Sequence, residues 1–104
     1  MRRGEMWWAD LPPPAGRRPV LLLSRNAAYA VRSLVTIAPI TTRIRNIPSE
    51  IPIGPEDGLP RRCVVNLDSI TTIPKDALWR RLTALHATKV VAVNTAIKYA
   101  LALP

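Results

Sequence analysis

The chain has 104 residues, of which 48% are hydrophobic and 21% are charged, and this balance excludes a purely disordered protein. The length is that of one domain with one core, so we predict a single domain over residues 1–104. The longest uncharged stretch, 33–42, is far shorter than the roughly 20 apolar residues that span a bilayer. Glu5 and Asp10 interrupt the basic N-terminal segment, which therefore does not resemble a secretory signal. These features predict a soluble, cytoplasmic protein.

Fifteen lysine and arginine residues against seven aspartate and glutamate residues give a formal net charge of +8. Three of the basic residues are lysines, and many of the arginines are adjacent in sequence, at 2–3, 17–18, 61–62 and 80–81. A guanidinium binds phosphate through two parallel hydrogen bonds, so this excess indicates nucleic acid or an acidic protein segment as the partner. A solvated, arginine-rich surface is the alternative. No strongly basic amphipathic helix is evident, so a membrane surface is not expected as a partner.

The few residues that commonly carry metal or acid–base chemistry have ordinary explanations. Cys63 and His86 are the only residues of their types, which excludes an internal disulfide and a structural zinc cage, and we predict no metal and no cofactor. Cys63 lies in an apolar strand and is expected to be a small buried hydrophobe. His86 precedes the last helix, where a cap or surface role is expected. The acidic pair Glu56-Asp57 lies in a Gly/Pro turn and is expected to be solvated.

The first part of the chain has the pattern of short strands separated by polar or proline-rich connections. Residues 4–10 contain two tryptophans and predict the first strand, and three prolines at 12–14 then require a loop. The apolar run 18–24 predicts a second strand that is buried on both faces. Asn26 is expected to cap a single helical turn in the connection 25–31.

Proline also marks the next two strands. Residues 33–41 predict a third strand, in which Pro39 requires a bulge or an edge position because proline has no N–H to donate. Residues 50–53 predict a short fourth strand, and Pro52 places it at an edge as well. The elements predicted after it are a turn at 54–60, strands at 62–68 and 70–73, a helical turn at 74–78 and a strand at 79–85.

Residues 87–102 predict the one long helix, because apolar residues recur along one face without glycine or proline. These residues are Val90, Val93, Ile97 and Leu101. Many short strands followed by one terminal helix predict a mostly β (α+β) fold, a small β-barrel with a C-terminal α-helix.

Arg18 at the start of the second strand and Thr41 at the end of the third are the strongest site candidates. If the two strands are antiparallel neighbours, the start of one lies beside the end of the other, and the two side chains converge at one rim. A guanidinium and a hydroxyl at one place suit the stabilisation of a phosphorane-like transition state. The alternative is a surface ion pair for Arg18 and an ordinary strand-end hydroxyl for Thr41.

Several short motifs occur together in a characteristic order and spacing. They are Arg-Gly-Glu-Met-Trp at 3–7, Asp10-Leu11, Arg18-Pro19-Val20, Pro39-Ile40-Thr41, Gly-Leu-Pro at 58–60, Val64-Val65 and Arg-Leu-x-x-Leu at 81–85. In this respect the chain resembles the MazF/PemK family. The resemblance implies an SH3-like barrel that forms a homodimer and acts as a sequence-specific endoribonuclease toxin. It also implies single-stranded RNA as the substrate, no metal, and an acidic antitoxin protein as the partner.

The resemblance further implies roles for individual residues. Arg18 and Thr41 match the catalytic arginine and threonine of the family, in a reaction where the ribose 2′-hydroxyl attacks the adjacent phosphate. The side chains expected to line the RNA path are Arg17, Ser24, Arg25, Thr42 and Arg43. The first loop, 12–16, is shorter than in many relatives and contains no acid or imidazole, so the residue that takes the 2′-proton is not assigned.

Two other functions are compatible with the same fold. One is a gyrase inhibitor that resembles CcdB, although those proteins depend on a C-terminal tryptophan region and this chain has Ala-Leu-Ala-Leu-Pro at 100–104. The other is a barrel that binds nucleic acid without cutting it.

Overall fold

A seven-stranded antiparallel sheet forms the fold in a computed structural model that describes residues 1–104. The strands are β1 (Glu5–Asp10), β2 (Arg17–Leu22), β3 (Leu34–Thr41), β4 (Glu50–Ile53), β5 (Cys63–Asn66), β6 (Thr71–Pro74) and β7 (Leu78–Ala84). The two helices are α1 (Ala28–Val31) and α2 (Ala87–Ala100). Three 3-10 turns also occur, at Pro55–Asp57, Leu67–Ser69 and Lys75–Ala77. Neighbouring strands follow the order β4-β5-β3-β2-β1-β7, and β6 pairs with β3. The predicted mostly antiparallel sheet with a C-terminal helix is confirmed, and the path of paired strands is open at β4 and β7.

Strand β2 is buried on both faces, as its apolar run predicts. Leu21 packs into a core that includes Val93 of α2, whereas Val20 and Leu22 point to the opposite face and pack with Tyr29 of α1. All three β2 side chains are at most 1% exposed. Each buried side chain of this kind contributes roughly 1.5–3 kcal/mol, so the strand that begins at Arg17 is held in place from two sides.

Strand β3 occupies the centre of the sheet, so of the two alternatives predicted from Pro39, a bulge or an edge position, the edge position is wrong. One edge of β3 pairs with β2, with Val20 opposite Pro39. The other edge pairs with β6 as far as Ile37 and with β5 from Ile40. Pro39 therefore lies where β3 changes its partner from β6 to β5. A residue without an N–H is tolerated there, because no ladder hydrogen bond is needed at that point. Pro52 does lie in an edge strand, because β4 ends the sheet.

The two helices differ from their predictions in detail. Helix α1 begins after Ala27, and the side chain of Asn26 does not cap it, because its Oδ1 accepts the backbone N–H of Arg3 at 2.6 Å. Helix α2 ends at Ala100 rather than 102, and His86 stands at its N-cap position without a side-chain capping bond. Neither helix has the length and apolar character needed to cross a membrane.

The predicted strand 62–68 ends early, at Asn66. The Oδ1 of Asn66 accepts the backbone N–H of Asp68 at 3.0 Å, and this bond turns the chain into the 3-10 turn that follows. Leu67, the first residue of that turn, is 1% exposed and anchors it to the core.

The two acidic residues after β4, Glu56 and Asp57, lie in different environments. Glu56 is exposed and pairs with Arg62 at 2.6 Å, as expected for a solvated carboxylate. For Asp57 that expectation is wrong, because its side chain is buried and accepts the backbone N–H of Gly54 at 3.0 Å and Lys89 Nζ at 2.5 Å. Lys89 belongs to α2, so this ion pair ties the helix to the turn after β4.

We expect Asp57→Ala to lower the free energy of unfolding by about 2–4 kcal/mol, because it removes the buried one of the two carboxylates that pair with Lys89 and also the acceptor of a buried backbone N–H. Urea denaturation followed by circular dichroism measures this change. Asp10→Ala is the matched control, because Asp10 and its partner Arg17 are both exposed and such pairs contribute little. Equal losses in the two variants would contradict a special role for the buried pair.

Candidate active site

Arg18 and Thr41 line the same cavity, as the predicted pairing of their strands requires. The antiparallel register of β2 with β3 places Val20 opposite Pro39. Extending this register by two residues, back along β2 and forward along β3, places Arg18 opposite Thr41. The cavity between them has a volume of about 150 Å³. We call it the central cavity, and its lining residues are Arg18, Pro39, Thr41, Arg43, Arg45, Asn66 and Ser69.

The central cavity has a strongly positive lining. Arg18, Arg43 and Arg45 contribute their side chains, and no carboxylate or imidazole lies among the lining residues. None of the three guanidinium groups takes part in a salt bridge. The Nε of Arg18 donates to the carbonyl oxygen of Ala15 at 3.2 Å, which holds this side chain against the proline-rich loop. Such a lining suits a phosphate group, which brings the missing negative charge.

Two further cavities adjoin the central one. An apolar cavity of about 220 Å³ shares Thr41 with it and is lined by Thr42, Trp8, Leu59 and Leu82, among others. A larger cavity of about 400 Å³ lies beneath the β1–β2 loop and shares Arg18, Pro39 and Ser69 with the central cavity. The apolar cavity lies on the side of the core that contains Ile40 and Leu59, and the larger cavity lies on the side of the other core, with Ile37 and Ile73. We call the three cavities together the groove.

Three of the predicted RNA-binding residues do not line this groove. Arg17 neighbours Arg18 on β2 and points to the other face, where its Nε donates to Asp10 at 2.9 Å and its guanidinium lies 4.4 Å from the Trp79 ring centroid. Ser24 accepts the backbone N–H of Thr36 at 2.8 Å. Ser24 and Arg25 follow the far end of β2, about 20 Å along the strand from Arg18. Thr42 and Arg43 do line the groove.

Three residues of the central cavity were missed from the sequence, namely Arg45, Asn66 and Ser69. Arg45 follows Arg43 at the alternating spacing of an extended chain, and that spacing could have indicated it. Asn66 ends β5 and Ser69 ends the turn that follows it, and β5 reaches the site because it pairs with the end of β3. No local pattern indicates a pairing between strands that are not consecutive.

The remaining candidates for special chemistry have structural roles. Cys63 is buried in the core and burial raises the pKa of its thiol, so its prediction as a small buried hydrophobe is confirmed. No three His, Cys, Asp or Glu side chains are close enough together to hold a metal ion.

The fold is an open antiparallel sheet with a terminal helix, and it carries an arginine-lined cavity whose positive charge suits a polyanion. The chain belongs to the family of PemK-like, MazF-like toxins of type II toxin-antitoxin systems, whose family model matches residues 2–101. This confirms the resemblance inferred from the ordered motifs.

Known relatives match this chain over nearly its whole length. The chain is 41% identical over 99 residues to a protein of Mycobacterium tuberculosis named "Probable endoribonuclease MazF5", covering 94% of this chain and 90% of that protein. The structure of the M. tuberculosis toxin MazF-mt6 superposes with a TM-score of 0.90 at 35% identity, covering 96% and 98% of the two chains. A mycobacterial endoribonuclease solved with its cognate antitoxin gives a TM-score of 0.88 at 35% identity, covering 100% and 97%.

Proposed function

We propose that this chain is the endoribonuclease toxin of a type II toxin-antitoxin system and that it cleaves single-stranded RNA in the central cavity. One observation carries the proposal. Arg18 and Thr41 meet in a cavity that holds three arginines outside any salt bridge and no carboxylate, in a chain whose relatives are named endoribonucleases. The toxin acts in the cytoplasm as a single domain of residues 1–104. An acidic antitoxin neutralises it by covering the same basic cavity.

The reaction is an internal transfer of the phosphate. The ribose 2′-oxygen forms a bond to phosphorus and loses its proton, while the bond from phosphorus to the 5′-oxygen breaks and that oxygen takes up a proton. Arg18 counters the charge that develops on the phosphorane, and Thr41 donates a hydrogen bond to a phosphate oxygen. Arginine is a poor base because it stays protonated, so the rate depends on orientation and charge stabilisation rather than on a strong base.

The rest of the groove holds the RNA on both sides of the reacting phosphate. Arg43 and Arg45 are placed to contact phosphates and position the strand, and Thr42 borders the apolar cavity, where an unstacked base fits. Arg17, Ser24 and Arg25 contact RNA only outside the three cavities, because none of them lines one.

The finer architecture follows the same family pattern, and we infer an SH3-like barrel in which the sheet coils around the core of α2. Its support is the central strand β3, which pairs with β2 on one edge and with both β5 and β6 on the other, and the presence of a hydrophobic core on each face.

Cleavage should leave a 2′,3′-cyclic phosphate, or its 3′-phosphate hydrolysis product, and a 5′-hydroxyl. We expect it to continue in EDTA, because the nucleophile is the substrate's own 2′-hydroxyl and the arginines supply the positive charge. An oligonucleotide with 2′-deoxyribose at the cut position should bind and stay whole. Mass spectrometry of the products checks all three points, and a 5′-phosphate end or cutting of the deoxy substrate would exclude the mechanism.

A toxin that cuts no RNA would favour a gyrase inhibitor or a passive nucleic-acid-binding protein.

Arg18→Ala and Thr41→Val should each lower the cleavage rate by about 10²-fold or more, because each removes a group that stabilises transition-state charge. Both side chains lie at a cavity wall rather than in a core, so thermal unfolding should change little. Arg32→Ala, at the exposed end of α1, is the charge-matched control and should cleave at the wild-type rate. Variants that are folded and fully active would remove Arg18 and Thr41 from the site.

We further propose a homodimer that buries the outer face of α2. The tryptophans do not carry this argument, because Trp7 and Trp8 are half-buried and Trp79 stacks on Trp8 beneath Arg17. The outer face of α2 carries more strongly exposed apolar side chains, where Val91 is 64% and Tyr99 is 60% exposed compared with 44% for Trp79.

Light scattering at micromolar concentration should therefore give twice the mass of the 11.5 kDa chain. Tyr99→Glu should return the protein to the monomer mass, because it places a charge in the apolar interface. Val31→Glu, at a residue 77% exposed on α1, is the matched control and should stay dimeric. A monomer mass for the unmodified chain would contradict the proposal.

A further inference from the structure

Ser69 provides the only hydroxyl besides Thr41 among the residues that line the central cavity. It ends the 3-10 turn Leu67–Ser69, whose first two residues are anchored to the rest of the protein. Leu67 is buried in the core and its N–H donates to the carbonyl oxygen of Ser49 at 2.9 Å, while the Ser49 hydroxyl donates to the carboxylate of Asp68. The position of Ser69 is therefore set before any ligand enters.

The direction of the Ser69 hydroxyl proton follows from its hydrogen bonds. The Oδ1 of Asn66 accepts the backbone N–H of Asp68, so the amide presents its Nδ2, which donates to Ser69 Oγ at 3.1 Å. Ser69 Oγ thus already accepts one bond, and no acceptor within the chain takes its own proton. That proton is free to donate to whatever occupies the cavity.

Thr41 has the same arrangement on its side of the cavity. Its Oγ1 accepts the backbone N–H of Arg43 at 3.2 Å, so its proton is also available to an occupant. The two residues are shared with different neighbouring cavities. Thr41 borders the apolar cavity, whereas Ser69 borders the cavity beneath the β1–β2 loop. An occupant of the central cavity therefore has a hydroxyl donor available from each of two separate segments, the end of β3 and the turn after β5.

We propose that Ser69 is a further catalytic residue, which donates its hydroxyl to the non-bridging phosphate oxygen that Thr41 does not contact. Asn66 is the positioning residue that keeps the Ser69 proton directed into the cavity. The inference rests on the proposed function, because it takes the occupant to be the scissile phosphate. Charge on both non-bridging oxygens increases as the phosphorane forms, so a donor to each one stabilises the transition state more than the substrate.

The first test compares Ser69→Ala with Ser69→Thr on a cleavable RNA. Ser69→Ala should lower the rate at saturating RNA by about 30-fold with little change in KM, as expected for the loss of one hydrogen bond to a charged oxygen. Ser69→Thr keeps the hydroxyl and should retain most of the activity. Ser33→Ala is the matched control, because Ser33 is exposed and lies outside all three cavities. Wild-type rates in Ser69→Ala would overturn the inference.

The second test uses RNA with a single sulfur at the scissile phosphate, in each of its two diastereomers. Sulfur is a poorer acceptor, so Ser69→Ala should have little further effect on the diastereomer whose sulfur replaces the oxygen that Ser69 contacts, and its full effect on the other. Thr41→Val should show the opposite preference. If both variants lose their effect on the same diastereomer, the assignment of one oxygen to each hydroxyl is wrong.

The positioning role of Asn66 is tested by a double variant. Asn66→Ala should slow cleavage about fivefold by releasing the Ser69 hydroxyl, and it should have no further effect in the Ser69→Ala background. Independent, multiplying losses would overturn the role of Asn66. Thermal unfolding shows whether Asn66→Ala keeps the turn folded. The comparison of Ser69→Ala with Ser69→Thr does not depend on the Asn66 variant. Failure of the wild-type toxin to cut any RNA would overturn the proposed function itself, whereas an active wild type with an unaffected Ser69→Ala overturns only this inference.

Discussion

The antiparallel register of β2 with β3 is the constraint on which the rest of the structure depends. It places Val20 opposite Pro39 and, by extension, Arg18 opposite Thr41. A slip of one residue would turn every β2 side chain to the other face of the sheet. Such a slip would exchange Leu21 with its neighbours between two different cores and would point Arg18 away from the cavity. The packing that stabilises the fold therefore also sets the geometry of the site.

The distribution of charge shows how the cavity stays basic. Four of the acidic residues are engaged in salt bridges elsewhere on the surface or in the core; they are Glu5, Asp10, Glu56 and Asp57. Burial alone would raise the pKa of Glu5, but hydrogen bonds from Trp7, Arg81 and the backbone of Arg2 outweigh it and hold this pKa below its usual value. No carboxylate lies among the residues that line the central cavity, so the mutual repulsion of its arginines is relieved when a polyanion binds.

The turn after β5 links the core to the chemistry. Leu67 points into the core and fixes the turn, while Asn66 and Ser69 on either side of it face the cavity. This short segment therefore both packs against the core and orients polar side chains toward the cavity. The β1–β2 loop closes the other side, where the carbonyl oxygen of Ala15 holds Arg18. The groove is bordered by segments that are distant in sequence and brought together by β3.

Local sequence determined much of this protein. The positions of β1 to β3 and of α2 follow from apolar periodicity and proline placement, and the meeting of Arg18 with Thr41 follows because consecutive strands pair readily as antiparallel neighbours. Features that depend on contacts between residues distant in sequence were decided only by the tertiary structure. Pro39 lies in a central strand because two separate strands share one edge of β3, and Asp57 is buried because Lys89 reaches it from α2. Asn66 and Ser69 enter the site through the pairing of β5 with β3. Periodicity reports which face of a strand is buried, but it carries no information on which distant strand will lie beside it.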